Sequence, residues 1–166
     1  MNIETPNLRD YEKVNDLAVQ VHEIHVAWRP DLFVSSDTVI SKENFETMIN
    51  NKEIYVAKLN NEIVGYIIFN IREKINPIMR YRKLLNIEAM CIDENHRHKG
   101  IGTALLSFAK KTGEENGCTD LYLTVNEENE NGIKAYEKFG FKIKNLAYSM
   151  EINKWFVSLF LLYLLI

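Results

Sequence analysis

Apolar residues recur at spacings of three and four in several stretches of the chain, which is the pattern of a helix that buries one face. In residues 8–27 the recurring positions are Val14, Leu17, Val21 and Ile24. The same spacing, together with capping residues at the ends, predicts helices in four places. These helices are 8–27, a short one that starts at the N-cap Ser41, 100–116 and 129–139.

Short runs rich in β-branched and aromatic residues lie between these helices and predict strands. Asn60 and Asn61 tolerate the backbone of a tight turn and join two runs into a hairpin. The run 84–92, the helix 100–116 and the run 121–125 form a strand–helix–strand unit, which requires a right-handed crossover between parallel strands. The predicted strands are 2–5, 54–59, 63–72, 84–92, 121–125, 141–143 and 148–152. The pattern therefore predicts an α/β domain, a mixed sheet with helices on both faces.

Length and charge narrow the possible partners. The 166 residues are enough for one compact domain and too few for two of ordinary size. With 20 Lys and Arg against 23 Asp and Glu, the net charge is −3, so we expect no nucleic-acid partner and infer that any anionic ligand needs a local basic cluster.

Cys91 and Cys118 are too few for a disulfide framework, and the first residues lack a secretory pattern, so we expect a cytoplasmic protein.

The strongest chemical signal is the segment 96–103, which joins a predicted strand to a predicted helix. A helix start presents free backbone N–H groups and a partial positive charge, and Arg97 and Lys99 add full charges. Gly100 and Gly102 would allow a phosphate to approach the backbone closely. The segment therefore predicts a pyrophosphate-binding loop. The alternative is that the glycines only permit close packing of the helix on the strand.

A second signal lies in the predicted helix 129–139. Asn129 stands at its start, and Tyr136 lies two turns later on about the same face. A tyrosine beside an anionic ligand can donate a proton, because its phenol is neutral at pH 7. The alternative is an apolar helix face in which Ile133, Tyr136 and Phe139 pack on the sheet.

The order of the two signals, one strand apart, resembles the GCN5-related N-acetyltransferase (GNAT) superfamily. The resemblance rests on an Arg-x-x-Gly-x-Gly loop that starts at Arg97, followed by Asn129 seven residues before Tyr136. It is dense over about 87–141 and reduces to element order and hydrophobic pattern over 1–86. It implies a GNAT domain over residues up to 154, with a mostly antiparallel sheet whose central parallel strands splay apart.

The resemblance also implies an activity, the transfer of an acetyl group from acetyl-coenzyme A (acetyl-CoA) to a primary amine of a small molecule or peptide, with no metal. The acceptor amine would attack directly in a ternary complex. The loop would wrap the coenzyme pyrophosphate, the strand backbone at 90–92 would hydrogen-bond to the pantetheine arm, Asn129 would contact the arm and Tyr136 would lie beside the sulfur. His98 stands where small residues are common, which is compatible with the use of its backbone N–H alone. The implied coenzyme-binding residues are Met90, Cys91, Ile92, Arg97, His98, Lys99, Gly100, Ile101, Gly102, Thr103, Asn129 and Tyr136.

Acetyl transfer needs a base for the protonated amine, a donor for the oxyanion and an acid for the departing thiolate. We predict Tyr136 as the acid and a backbone N–H near Cys91 or Ile92 as the oxyanion donor. Glu88 is the candidate base, because a carboxylate in an apolar strand is costly unless it faces a wet cleft. The alternative is that Glu88 points to solvent or pairs with an arginine.

Two rival chemistries are less favoured by the residues. Cys91 could be acetylated first, but an isolated cysteine is more often a small buried residue. His22 and His25, three residues apart, could bind a metal, but no cysteine or carboxylate cluster joins them at zinc spacing. We expect these histidines to lie on the helix surface or to line a cleft.

The acceptor and the C-terminus are less defined. We expect the first two helices and the loop 28–36 to border the acceptor, and the basic stretch 72–82 to be a solvated loop. Residues 155–166 form an apolar tail that is too short to span a bilayer, so packing or homodimer formation is favoured over membrane contact. Two further functions remain open, a non-catalytic coenzyme A (CoA) sensor and an interaction protein that uses the same fold.

Overall fold

The computed structural model describes residues 1–150, which form a five-stranded sheet with helices on both faces. The strand order is β1-β2-β3-β4-β5, and every neighbouring pair is antiparallel except β4 and β5, which are parallel. The predicted fold class is therefore confirmed. The elements in chain order are β1 (Asn2–Glu4), α1 (Tyr11–Trp28), α2 (Lys42–Asn50), β2 (Ile54–Leu59), β3 (Glu62–Lys74), β4 (Arg82–Ile92), α3 (Ile101–Glu115), β5 (Asp120–Leu123) and α4 (Glu130–Phe139).

Two apolar clusters, one on each face of the sheet, hold the helices in place. On one face α1 and α2 bury Val14, Leu17 and Phe45 against the strands. On the other face α3 buries Leu105 and Ala109, and α4 packs its partly buried residues there too. A helix on each face covers the alternating side chains of a strand, as the sequence pattern requires.

Local sequence signals set several boundaries as predicted. Ser41 caps α2 by accepting the N–H of Asn44 on its hydroxyl at 3.2 Å. Asn60 and Asn61 have φ angles of 51° and 66°, the left-handed pair that a two-residue hairpin turn requires. Gly140 ends α4 with φ at 114°.

Other boundaries differ from the prediction. Asn7 closes a capping box with Asp10, so residues Leu8–Asp10 form a 3-10 turn and α1 begins at Tyr11. The hairpin of β3 and β4 extends to the paired residues Lys74 and Arg82, so both ends of the basic stretch 72–82 belong to strands rather than to a loop.

The last two predicted strands are wrong where the structure describes them. Residues 141–143 and 148–150 form no strand, and 151–152 lie outside the described residues. Ile143, Leu146 and Tyr148 are 69%, 70% and 90% exposed, so this segment lacks the burial against a partner that stabilises a strand. Consequently, no strand among residues 1–150 pairs with the outer edge of β5.

Candidate functional site

A cleft opens in the sheet where β4 and β5 part. Their parallel pairing ends at Ile87 and Leu123, although β4 continues to Ile92. At the same point the register of β4 against β3 shifts. Ala89 and Ile87 pair with the adjacent β3 residues Ile68 and Phe69, so Glu88 is the extra residue of a β-bulge. The end of β4 therefore has β3 on one side and no strand of the described chain on the other.

The direction of the backbone groups shows which residues face the cleft. The N–H of Asp93 donates to the carbonyl of Val64 on β3 at 2.9 Å. Since backbone groups alternate sides along a strand, Cys91 also presents its amide to β3, whereas Met90 and Ile92 present theirs to the cleft. Of the two candidate oxyanion donors, the alternation favours Ile92.

The loop between β4 and α3 has two residues in the left-handed region and leads into the start of a helix. His98 and Gly100 have φ angles of 61° and 79°, and a Cβ placed on Gly100 would meet no atom within 4 Å, so glycine serves the left-handed conformation there. The first intrahelical bond of α3 is the Ala104 N–H to the Gly100 carbonyl, at 3.0 Å. The N–H groups of the first turn, at Ile101, Gly102 and Thr103, therefore lack acceptors within the helix.

Gly102 lies in the first turn of α3. A Cβ there would lie 3.4 Å from the Cδ1 of Ile92, at the lower limit of ordinary van der Waals contact, so the packing of α3 on β4 does not by itself require a glycine at this position. Arg97, His98 and Lys99 are exposed. Within residues 1–150, Arg97 and Lys99 form no ion pair with a carboxylate, so segment 96–103 places two unpaired positive charges beside the amides of the first turn.

Asp93 anchors this loop to α1, a contact that the sequence reasoning missed. Its carboxylate accepts the Asn95 N–H at 3.0 Å and the Lys13 ammonium at 3.1 Å. Burial acts to raise the pKa of Asp93, but these two bonds outweigh it and lower the pKa to about 2. Lys99 adds a bond to the Asn95 carbonyl at 3.0 Å. The one sequence signal for the anchor is an aspartate placed directly after a buried strand.

Gln20 forms a second tie between α1 and the end of β4. Its side-chain amide donates to the Ile92 carbonyl at 3.3 Å and contacts the Cys91 sulfur at 3.8 Å, and its oxygen accepts the Glu94 N–H at 3.4 Å. The cleft wall therefore depends on a residue of the first helix, which lies 72 positions away in sequence.

Tyr136 lies half-buried on α4, where it packs edge-on against Phe141 with ring centroids 5.8 Å apart. Its hydroxyl forms no hydrogen bond with residues 1–150. Burial raises the pKa of Tyr136, which keeps the phenol protonated at neutral pH. Asn129 caps α4 by accepting the Gly132 N–H at 2.9 Å, which leaves its amide NH₂ free of this cap. The roles of both residues toward a coenzyme stay predictions.

Glu88 is paired with an arginine, the alternative that the sequence left open. Its Oε1 accepts from Arg72 Nη2 at 2.6 Å and from Asn70 Nδ2 at 2.7 Å. Its side chain is 38% exposed, so the carboxylate remains accessible. The pairing does not decide whether Glu88 is the base, which stays a prediction.

Cys91, His22 and His25, the residues of the two rival chemistries, lie in packed surroundings. Burial raises the pKa of the Cys91 thiol to about 12, although the charges of Arg97 and Lys13 oppose the shift. His22 and His25 both contact the Phe33 ring, and burial and His22 lower the pKa of His25. Over the described range, no group of three His, Cys, Asp or Glu residues is placed to hold a metal ion.

A cavity of about 900 Å³ borders the outer edge of β5. It reaches Tyr136, but neither the end of β4 at residues 90–92 nor the loop residues 97–103 line it. Its apolar lining includes Leu121, Leu123, Ile133, Phe139 and Phe141. None of the helices within residues 1–150 has the length and apolar character needed to cross a membrane.

Comparisons with known proteins find similar acetyltransferases. An N-alpha-acetyltransferase of Sulfurisphaera tokodaii is 33% identical over 92 residues, which are 53% of this chain and 55% of that protein. One from Saccharolobus solfataricus is 32% identical over the same length and with the same coverage. The chain spans about half the length of these curated relatives.

Solved structures extend the likeness over nearly the whole chain. The tetramutant of the BH1408 protein from Bacillus halodurans has a TM-score of 0.87 at 26% identity and covers 92% of this chain and 100% of its own. An aminoglycoside N-acetyltransferase in complex with CoA has a TM-score of 0.67 at 14% identity, over 90% of this chain and 98% of its own, which shows a shared fold. Residues 18–141 match the family model described as "Acetyltransferase (GNAT) family". The chain therefore belongs to the GNAT acetyltransferase family.

Proposed function

We propose that this protein is an N-acetyltransferase that transfers the acetyl group of acetyl-CoA to a primary amine. The observation that carries the proposal is the proximity of two backbone surfaces, the amides at the start of α3 that lack acceptors within the helix and the edge of β4 at Met90 and Ile92, which no strand of residues 1–150 covers. The first suits a diphosphate and the second suits an extended amide-containing chain, which can add to a strand edge. Exposed Arg97 and Lys99 supply the charge that a diphosphate requires.

Acetyl-CoA supplies the thioester, and the chain supplies a donor, a base and an acid. The Ile92 N–H donates to the oxyanion that forms when the amine attacks the carbonyl carbon, a role supported by the alternation that turns this N–H toward the cleft. Glu88 takes the proton that the ammonium group of the acceptor must lose, through a water molecule. Tyr136 gives its proton to the sulfur as the carbon–sulfur bond breaks. The neutral phenol that burial favours is the state this step needs.

Direct transfer is supported over an acetyl-cysteine intermediate. A nucleophilic cysteine needs an accessible thiolate. Cys91 is 2% exposed, and burial raises the pKa of its thiol to about 12, so the thiolate is scarce at neutral pH. The amine therefore attacks the thioester itself in a ternary complex.

We propose that the end of α1 and the loop after it form the wall of the acceptor site. Trp28 and Phe33 contact the His25 ring, and Arg29 pairs with Asp31 at 2.7 Å, so this region combines aromatic surface with both charge signs. Such a surface suits an amine that carries further polar groups, either a small molecule or a peptide. Peptide α-amines come first in a test panel, because the two similar archaeal proteins are named N-alpha-acetyltransferases.

Thiol release from acetyl-CoA, measured over a panel of peptides, polyamines, aminoglycosides and amino acids, tests the activity. Calorimetric titration of acetyl-CoA tests the site, and we expect Arg97→Gln to weaken binding roughly ten- to a hundred-fold through the loss of a charge-assisted contact. Lys110→Gln, the same loss of charge at another exposed position, in α3 away from the loop, should leave binding unchanged. Binding without thiol release on any amine would indicate a CoA sensor, and no binding would contradict the proposal.

We also propose a cellular compartment, the bounds of the catalytic domain and a role for the C-terminal tail. The two cysteines are free thiols in the structure, which fits a reducing cytoplasm. We assign residues up to 154 to the catalytic domain and the apolar tail 155–166 to packing or homodimer formation. An apolar cavity beside β5 supports this assignment, because residues 142–147, which lead toward the tail, line it.

A further inference from the structure

Three side chains at the mouth of the cleft form a closed hydrogen-bonded ring. Arg72 Nε donates to Asn70 Oδ1 at 3.0 Å, Arg72 Nη2 donates to Glu88 Oε1 at 2.6 Å, and Asn70 Nδ2 donates to the same oxygen at 2.7 Å. Asn70 and Arg72 are two apart on β3, so both side chains lie on one face of the sheet. Glu88 reaches them from the bulge in β4.

Both donors of this ring meet one carboxylate oxygen. The second oxygen, Oε2 of Glu88, has no hydrogen-bond partner among residues 1–150. A carboxylate held through one oxygen has a fixed orientation, while the other oxygen can still accept a proton or a water molecule. The ring therefore restrains Glu88 without blocking it.

The ring contributes little to folding. The side chains of Arg72 and Glu88 are 58% and 38% exposed, and an ion pair this accessible to water stabilises a fold by about 0–1 kcal/mol. Its position is more informative, because Glu88 directly follows Ile87, the last residue of β4 that pairs with β5. The restrained carboxylate thus stands where the cleft opens.

We propose that Arg72 and Asn70 are positioning residues, which hold Glu88 so that its Oε2 takes the proton of the acceptor amine. This rests on the proposed acetyltransferase function. In the step, the acceptor N–H bond breaks and its proton passes through water to Oε2, while the nitrogen lone pair forms the bond to the acetyl carbon and the carbonyl π electrons move to the oxygen. When the carbonyl re-forms, the carbon–sulfur bond breaks and the thiolate takes the proton of Tyr136. Neither Arg72 nor Asn70 touches the reacting atoms, since both donate to Oε1.

A double-mutant cycle separates positioning from a structural role. We expect Arg72→Gln to lower kcat roughly ten- to a hundred-fold, because misplacement of a reacting group by about 1 Å costs that much, with the KM for acetyl-CoA and the melting temperature unchanged. In a Glu88→Gln background, Arg72→Gln should then cause no further loss of kcat. Asn70→Ala should behave in the same way. Arg72→Lys keeps the positive charge but loses the planar guanidinium that bridges Asn70 and Glu88, so it should restore kcat only in part.

A charge change on the same strand serves as the matched control. Lys74→Gln removes a positive charge two residues further along the same face of β3 and should keep the wild-type kcat. Additive losses in Arg72→Gln and Glu88→Gln, or an unchanged kcat in either single variant, would overturn the positioning proposal. Failure of the proposed function looks different, because the wild-type protein would then bind no acetyl-CoA or release no thiol.

Discussion

Gly65 tests whether the close spacing of β3 and β4 is needed at the cleft. It lies opposite Ile92, and a Cβ built on it would stand 2.7 Å from the carbonyl oxygen of Cys91. That atom belongs to the backbone, so no side chain can rotate to make room. Gly65→Ala therefore has to push β4 away from β3 at the residues that present their amides to the cleft.

The size of the effect can be worked from this contact. Overpacking against a rigid neighbour costs about 1–3 kcal/mol, and the change from glycine to alanine in a strand returns roughly 0.5–1 kcal/mol through lower chain entropy. The middle of each range gives a net loss of about 1 kcal/mol in the free energy of unfolding. For a domain of this length, the melting temperature should fall by roughly 2–4 °C.

Gly113→Ala is the matched control, because Gly113 lies inside α3 and a Cβ there would meet side chains at ordinary distances of 3.5 and 3.6 Å. Alanine in a helix interior gains about 1 kcal/mol over glycine, so this variant should melt higher than the wild type. Calorimetric melting and acetyl-CoA titration are measured on both. If Gly65→Ala melts at the wild-type temperature and binds coenzyme equally well, the inferred spacing at the cleft is wrong.

Three further predictions concern the acid, the loop anchor and the tail. Tyr136→Phe should lower kcat by about 10²-fold or more and keep the affinity for acetyl-CoA, measured by thiol release and calorimetry; an unchanged kcat would remove Tyr136 from the mechanism. Because the pKa of Asp93 is lowered on folding, its carboxylate contributes stability that is fully present above about pH 4 and is lost as the pH falls toward 2. Asp93→Asn should therefore lower the denaturant midpoint at pH 6 and lower it much less at pH 2.5. An equal loss at both pH values would refute this linkage. If 155–166 joins two copies, light scattering should show a dimer for the full chain and a monomer for a chain that ends at 154, whereas equal masses would exclude that role.

The elements with strong periodicity could be predicted from the sequence, and so could the loop. The amphipathic spacing of α1 and α3, the Asn60–Asn61 turn and the end of α4 at Gly140 each depend on local chemistry, which a sequence pattern records directly. The predicted strand at 141–143 was wrong because a strand needs a partner strand, and the β-rich composition of this segment carries no information about a partner.

The contacts between distant residues could not be predicted. Lys13 pairs with Asp93 across 80 positions, and Gln20 holds the end of β4 from a helix whose pattern indicates only burial. The bulge at Glu88 is equally hidden, because it arises from the register between two strands. These tertiary contacts fix the cleft, whereas sequence motifs identify only the loop beside it.

A crystal structure of the protein with bound CoA tests the site most directly. We predict that the diphosphate accepts hydrogen bonds from the N–H groups of Gly102 and Thr103 at the start of α3, and that the pantetheine arm runs along Met90 and Ile92. A coenzyme bound elsewhere, for instance in the cavity beside β5, with the α3 amides facing only solvent, would contradict the prediction.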